Sequence, residues 1–172
     1  MARIIVILVL ACVAALYGPR LLQDVADNPD SLAVSFGDSE PERPKARASG
    51  GTMVLKADRS GHFFAEPRIN GRQIDAVIDT GATAVVLTYE DARNIGVLPP
   101  ESKFTVPVRT ANGTTTTAAA DLREIRLGSI RVGNVRALVA RRGELSVTLL
   151  GMSFLSRLSR ADMRGGELVL RP

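Results

Sequence analysis

The chain of 172 residues has one cysteine, one histidine and no tryptophan, and each shortage removes a class of chemistry. Cys12 lies in the hydrophobic N-terminus, so no disulfide can staple the residues after it and no thiol is available there as a nucleophile. A Ser–His pair would depend on His62 alone, which reads as a strand surface residue. Metals need His, Cys or carboxylates clustered at ligand spacing, and the sequence has no such cluster. It also lacks the glycine-rich loops that cradle phosphates. Neither a metal nor another cofactor is therefore expected. Aromatic residues make up 4% of the chain against 45% hydrophobic residues, so the core must be built from Val, Ile, Leu and Ala, a mixture that favours strands where β-branched residues gather. The 22 basic residues are spread among 18 acidic ones, for a formal charge of +4. No basic block is interleaved with stacking aromatics, and nucleic acid is not an expected partner. The tight pair Arg141-Arg142 reads as a solvated loop.

Arg3 is followed by an uncharged, mostly aliphatic run from Ile4 to Gly18. It is shorter than the roughly 20 residues of a typical spanning helix, and Leu21 and Leu22 could extend it past Pro19 and Arg20. Residues 1–22 read as an uncleaved membrane anchor, with Arg3 on the cytoplasmic side and the remainder facing the periplasm from the inner membrane. The alternatives are a cleaved secretory signal processed near Ala14 and Ala15, and a lipoprotein signal ending at Cys12. Residues 23–51 shift to Asp, Glu, Pro, Ser, Gly and Arg and read as a flexible linker. Residues 52–172 then form one domain of ordinary size.

Within that domain His62 to Ile69 and Gln73 to Ile78 are β-prone stretches around Asn70-Gly71-Arg72, a strong hairpin signal. Ala84 to Leu87 reads as a strand, and Thr88 and Asp91 have the spacing of a capping box for a short helix ending at Gly96. A second hairpin is expected from Phe104 to Arg109 and Thr114 to Ala119 around Asn112-Gly113. Its four threonines, Thr114 to Thr117, put hydroxyls on both faces, as a projecting, solvated arm requires; such an arm is a candidate flap, with an ordinary edge hairpin as the alternative. Glu124 to Leu127, Ile130 to Val132, Val135 to Val139, Leu145 to Leu150 and Glu167 to Leu170 continue the strand pattern. Turns are expected at Gly128 and Gly133-Asn134, and a short helix from Phe154 to Leu158. Many short strands with regular turns and one or two small helices indicate an all-β, closed or nearly closed barrel.

The chemistry that remains is carboxylate chemistry. The apolar run Val77-Ile78 ends on Asp79-Thr80-Gly81-Ala82, where neighbouring hydroxyl and N–H groups can hold a carboxylate and the glycine admits a close backbone. Asp75, four residues earlier on the same strand, is roughly 13 Å away and too far to share a proton. Asp121 and Glu124 read as barrel-surface charges.

With Asp79-Thr80-Gly81-Ala82, Ala111-Asn112-Gly113 and Leu149-Leu150-Gly151-Met152-Ser153-Phe154-Leu155, residues 52–172 resemble the retropepsin-like aspartic proteases, in particular their bacterial membrane-anchored branch. The resemblance implies that Asp79 is catalytic, that Thr80 joins a hydrogen-bond grip between two active-site loops, and that Gly81 lets those loops approach. It implies too that Ala111, Asn112 and Gly113 belong to a flap, and that Leu149, Leu150 and Gly151 brace the loop from behind. Relatives with one such loop form symmetric homodimers in which each chain supplies one aspartate. Two adjacent carboxylates share a proton, one acting as base on water while the other polarises the scissile carbonyl of a peptide bound as an extended strand. Viral relatives have a charged residue after the loop and Arg-Asn or Arg-Asp after the later glycine. Here Thr83-Ala84 and Met152-Ser153 stand in those places, so the ion pair that stabilises the viral dimer is not expected, and tethering in the membrane would compensate by raising effective concentration. A barrel that binds peptides or partner proteins without cutting them is the rival reading, and an envelope structural protein the third.

Overall fold

The computed structural model describes residues 47–49, 51–110 and 113–172. The expected anchor over residues 1–22, most of the expected linker, and Ala111 and Asn112 of the expected flap lie outside them. No described helix is long and apolar enough to cross a membrane.

Among the described residues two sheets form the fold. The smaller is a four-stranded antiparallel sheet in the order β1 (Arg47–Ser49), β2 (Thr52–Lys56), β13 (Glu167–Arg171), β12 (Arg160–Arg164). Met53 and Leu55 alternate inward on β2, as do Leu168 and Leu170 on β13, the period-2 pattern of a half-buried sheet. Strand β1 falls within the residues read as linker, and its three residues pair with Thr52, Met53 and Val54.

The larger sheet begins with a bent hairpin. Asn70 (φ 52°) and Gly71 (φ 90°) make the left-handed turn that Asn-Gly announces. The arms are not the two continuous strands expected but four pieces: β3 (Phe64–Ala65), β4 (Arg68–Ile69), β5 (Arg72–Gln73) and β6 (Ala76–Ile78). Pro67 has no N–H to give to a ladder, although its carbonyl still accepts from Ile74 N at 3.0 Å. The sheet runs β3-β6-β11-β7-β10-β9-β4-β5, with β7 (Val85–Leu87), β9 (Gly113–Leu127), β10 (Ile130–Val139) and β11 (Thr148–Leu150). Its two ends are halves of the same hairpin, so the sheet curls back on itself around one aliphatic core. Leu87, Leu122, Ile125, Ile130, Val135 and Leu150 are fully buried there. The all-β expectation is met.

Several boundaries differ. Strand β9 fuses two expected strands, and so does β10. Gly133-Asn134 is not a turn: Asn134, at φ 52°, interrupts the ladder by one pair while Gly133↔Glu124 and Val135↔Leu122 keep register on either side. Strand β8 (Val106–Thr110) pairs, among the described strands, only with the start of β9 and stands off the path of the sheet. Helix α1 (Tyr89–Asn94) starts where the capping signal put it, with Asp91 N donating to Thr88 Oγ1 at 3.0 Å. Helix α2 (Met152–Leu155) begins two residues before the expected start because extended Gly151 serves as its N-cap.

Candidate active site

Strand β11 is wedged between two others, parallel to β6 and antiparallel to β7. Leu150 stands opposite Ile78 and Leu149 opposite both Val77 and Val86, so β6 and β11 end side by side. Asp79 is the first residue beyond β6. Its N–H donates to the Leu150 carbonyl at 3.2 Å, and its own carbonyl accepts from Ala82 N at 3.3 Å, which closes a tight loop. Within that loop Gly81 N donates to Asp79 Oδ1 at 2.8 Å, the kind of charge-assisted bond that fixes a carboxylate rotamer.

The loop is backed by Gly151. Met152 N donates to the Ala82 carbonyl at 2.8 Å. A Cβ on Gly151 would lie 2.1 Å from the Ala84 carbonyl oxygen and 2.6 Å from that of Ala82, so only glycine lets these backbones come so close. Gly81 is constrained in a milder way: a Cβ there would stand 3.2 Å from Asp79 Oδ1 and crowd the carboxylate. Thr80 and Gly81 are exposed, and Asp79 is half-buried. The Thr80 hydroxyl has no hydrogen-bond partner among the described residues.

Asp75 is exposed and lies before β6 begins, at the other end of that strand from Asp79. Asp121 is an exposed surface charge, and Glu124 pairs with Arg131 at 3.0 Å and Arg126 at 3.9 Å. His62 is exposed and precedes β3; its Nδ1 lies 3.9 Å from Asp58 Oδ1. Among the described residues no group of His, Cys, Asp and Glu could hold a metal ion. A cleft of about 600 Å³, bordered by Ile74, Asp75, Glu90 and Val147, opens beside the starts of β6 and β11. Asp79 lies at their opposite ends and does not line it. The carboxylate is thus presented on an open surface loop, and the single chain puts one aspartate there.

Some supporting residues were not foreseen. Ser153 Oγ accepts from Val85 N at 2.9 Å and donates to the Arg136 carbonyl at 2.7 Å, tying β7 and β10 to α2. Thr148, fully buried, donates to Asp91 Oδ2 at 2.6 Å and accepts from Thr88 N at 3.3 Å, which fastens α1 to β11. The four-threonine run is not a simply solvated arm. Thr117 is buried and donates to the Val106 carbonyl at 3.2 Å, and Thr115 and Thr116 are half-buried and bonded to other side chains. Arg141 is one of those partners and is itself half-buried, so the pair Arg141-Arg142 is not the freely solvated loop it reads as.

The sequence profile of the "gag-polyprotein putative aspartyl protease" family matches residues 65–157, a span that includes the Asp79 loop, the hairpin and Gly151. A crystal structure described as a retropepsin-like aspartic protease from Rickettsia conorii superposes with a TM-score of 0.62 at 30% identity, covering 73% of this chain and 94% of that one. An uncharacterized Sinorhizobium protein encoded in the cobV 5′ region is 45% identical over 119 residues, which is 69% of this chain and 51% of that protein. An uncharacterized protein of Rickettsia prowazekii (strain Madrid E) is 34% identical over 107 residues, 62% of this chain and 46% of that protein. The chain spans about half the length of the curated relatives it matches.

Proposed function

Because the chain belongs to the gag-polyprotein aspartyl protease family and has the retropepsin-like fold, we propose that it is an aspartic endopeptidase whose catalytic residue is Asp79, working as a homodimer. The observation that carries the reading is the loop itself. One carboxylate, its rotamer set by Gly81 N–H and its backbone set by Leu150, stands beside exposed Thr80 and Gly81 on an open surface. A second copy facing it about a two-fold axis would supply the other aspartate and wall the site.

In that dimer the two Asp79 carboxylates hold one proton between them, since like charges so close do not both ionise. The ionised one removes a proton from water as the water attacks the scissile carbonyl, and the protonated one donates to the carbonyl oxygen. The leaving amine then takes up a proton as the roles reverse. Thr80 grips the partner loop, and the β8–β9 hairpins close over a peptide held as an extended strand. Residues 1–22 anchor the chain in the inner membrane and residues 23–51 tether the domain in the periplasm, an assignment that rests on the apolar run after Arg3.

Full-length wild type and Asp79→Asn, incubated with a random-sequence peptide library from acid to neutral pH, test the central claim by mass spectrometry of the products. Wild type should cleave, and the variant should lose about a thousandfold or more of kcat/KM. A wild type that cuts nothing, or a variant that cuts as well, overturns the reading.

A further inference from the structure

Thr115 and Thr116 are neighbours on β9, so their side chains leave opposite faces of the strand; one short loop reaches both. The Thr115 hydroxyl lies 2.9 and 2.7 Å from the two carboxylate oxygens of Glu144. On the other side Arg141 Nε donates to Thr116 Oγ1 at 2.9 Å. The same guanidinium donates through Nη2 to the Phe104 carbonyl at 3.1 Å, pairs with Glu101 through Nη1, and lies 5.1 Å from the centroid of the Phe104 ring. Glu101 and Phe104 lead into β8, whereas Thr116 belongs to β9. One side chain therefore holds both arms at the root of the hairpin. Among the described strands, β8 pairs with β9. Arg141 itself follows β10 in the connection to β11, the strand whose last carbonyl holds Asp79 N–H.

We propose that Arg141 is the positioning residue of the hairpin, setting how the β8–β9 arm stands relative to the Asp79 loop and thereby governing the binding of an extended peptide. The inference rests on the protease reading of the Asp79 loop. A guanidinium suits this task because its rigid fork sends N–H groups in several fixed directions at once, while a lysine ammonium is a single mobile point charge. Its charge-assisted bonds to Thr116 and to the Phe104 carbonyl are part-buried, so salt screens them less than its pair with exposed Glu101.

The test compares full-length wild type with Arg141→Ala, Arg141→Lys and Thr116→Val by amide hydrogen exchange, by thermal melting, and by KM and kcat on the best-cleaved library peptide. In Arg141→Ala, the amides of Val106, of residues 108–110 and of residues 114–117 should exchange about tenfold faster, the equivalent of losing one charge-assisted hydrogen bond. KM should rise about tenfold while kcat changes by less than about threefold, as expected when binding rather than the chemical step is lost. Thr116→Val should move both readouts in the same direction by less, and Arg141→Lys should recover only part of the loss. Unchanged exchange and KM in Arg141→Ala overturn the proposal. So does full recovery by lysine, or an even rise of exchange across the domain with KM unaltered, which is the mark of general destabilisation. If wild type cleaves nothing the protease reading fails, while hairpin exchange still decides the role of Arg141.

Discussion

The Asp79 loop is held almost wholly by main chain, through Leu150, Ala82 and Met152, whereas the root of the β8–β9 hairpin is held by side chains, through Arg141, Glu144 and two threonines. A backbone grip tolerates many side chains but demands close approach, which is why it requires glycine. A side-chain clasp needs particular donors and acceptors, and it can let go without unravelling a sheet, because the ladder beneath it is intact. The first arrangement fixes a group through the sheet itself; the second makes the stance of the arm depend on a few side chains.

The backbone grip breaks most severely at Gly151. Gly151→Ala drives a Cβ into the Ala84 and Ala82 carbonyls, and β11 and β7 cannot part without losing the ladder between them. The expected cost is about 3–5 kcal/mol of unfolding free energy, read as a fall in the urea midpoint with the slope unchanged. A midpoint equal to that of wild type would mean the backbone grip is slack. Ser153→Ala comes next. It strips a partner from Val85 N, on a fully buried residue, and from the Arg136 carbonyl, and should cost about 1–3 kcal/mol by the same measurement. A loss near zero would show that water replaces the hydroxyl at both groups.

The two regions also differ in how far they could be read in advance. Asp79-Thr80-Gly81 at the end of an apolar run, and Gly151 after two leucines, stand out because strand, carboxylate and glycine are consecutive in sequence. The alternation of β2 and β13 and the Thr88 cap are similarly local. Arg141 reaches residues 25, 37 and 40 positions away, and no local pattern distinguishes an arginine aimed at such partners from one in water. Ser153 and Val85 are 68 residues apart, equally beyond any window. The threonine run looked solvated because hydroxyls advertise polarity without naming the acceptor that satisfies it. Strand β12 escaped notice because all five of its residues are exposed, leaving no apolar alternation to see. Strand β1 was hidden by its polar neighbours in the expected linker.

The smallest expected effect sharpens the contrast from within the clasp. Arg142, next to Arg141, lies 4.6 Å from the centroid of the Tyr89 ring but is exposed, and its guanidinium has no hydrogen-bond acceptor among the described residues. A cation over a ring at an exposed site is worth about 0.5–1 kcal/mol, and water competes for that charge throughout. Arg142→Ala should therefore shift the urea midpoint only slightly and leave hairpin exchange and KM at wild-type values. The two adjacent arginines have the same charge, so they would separate on geometry alone: one is bound to both arms of the hairpin, the other rests on α1. If Arg142→Ala loosened the hairpin as much as Arg141→Ala, the positive charge of the loop would be the agent and the fork of Arg141 would not.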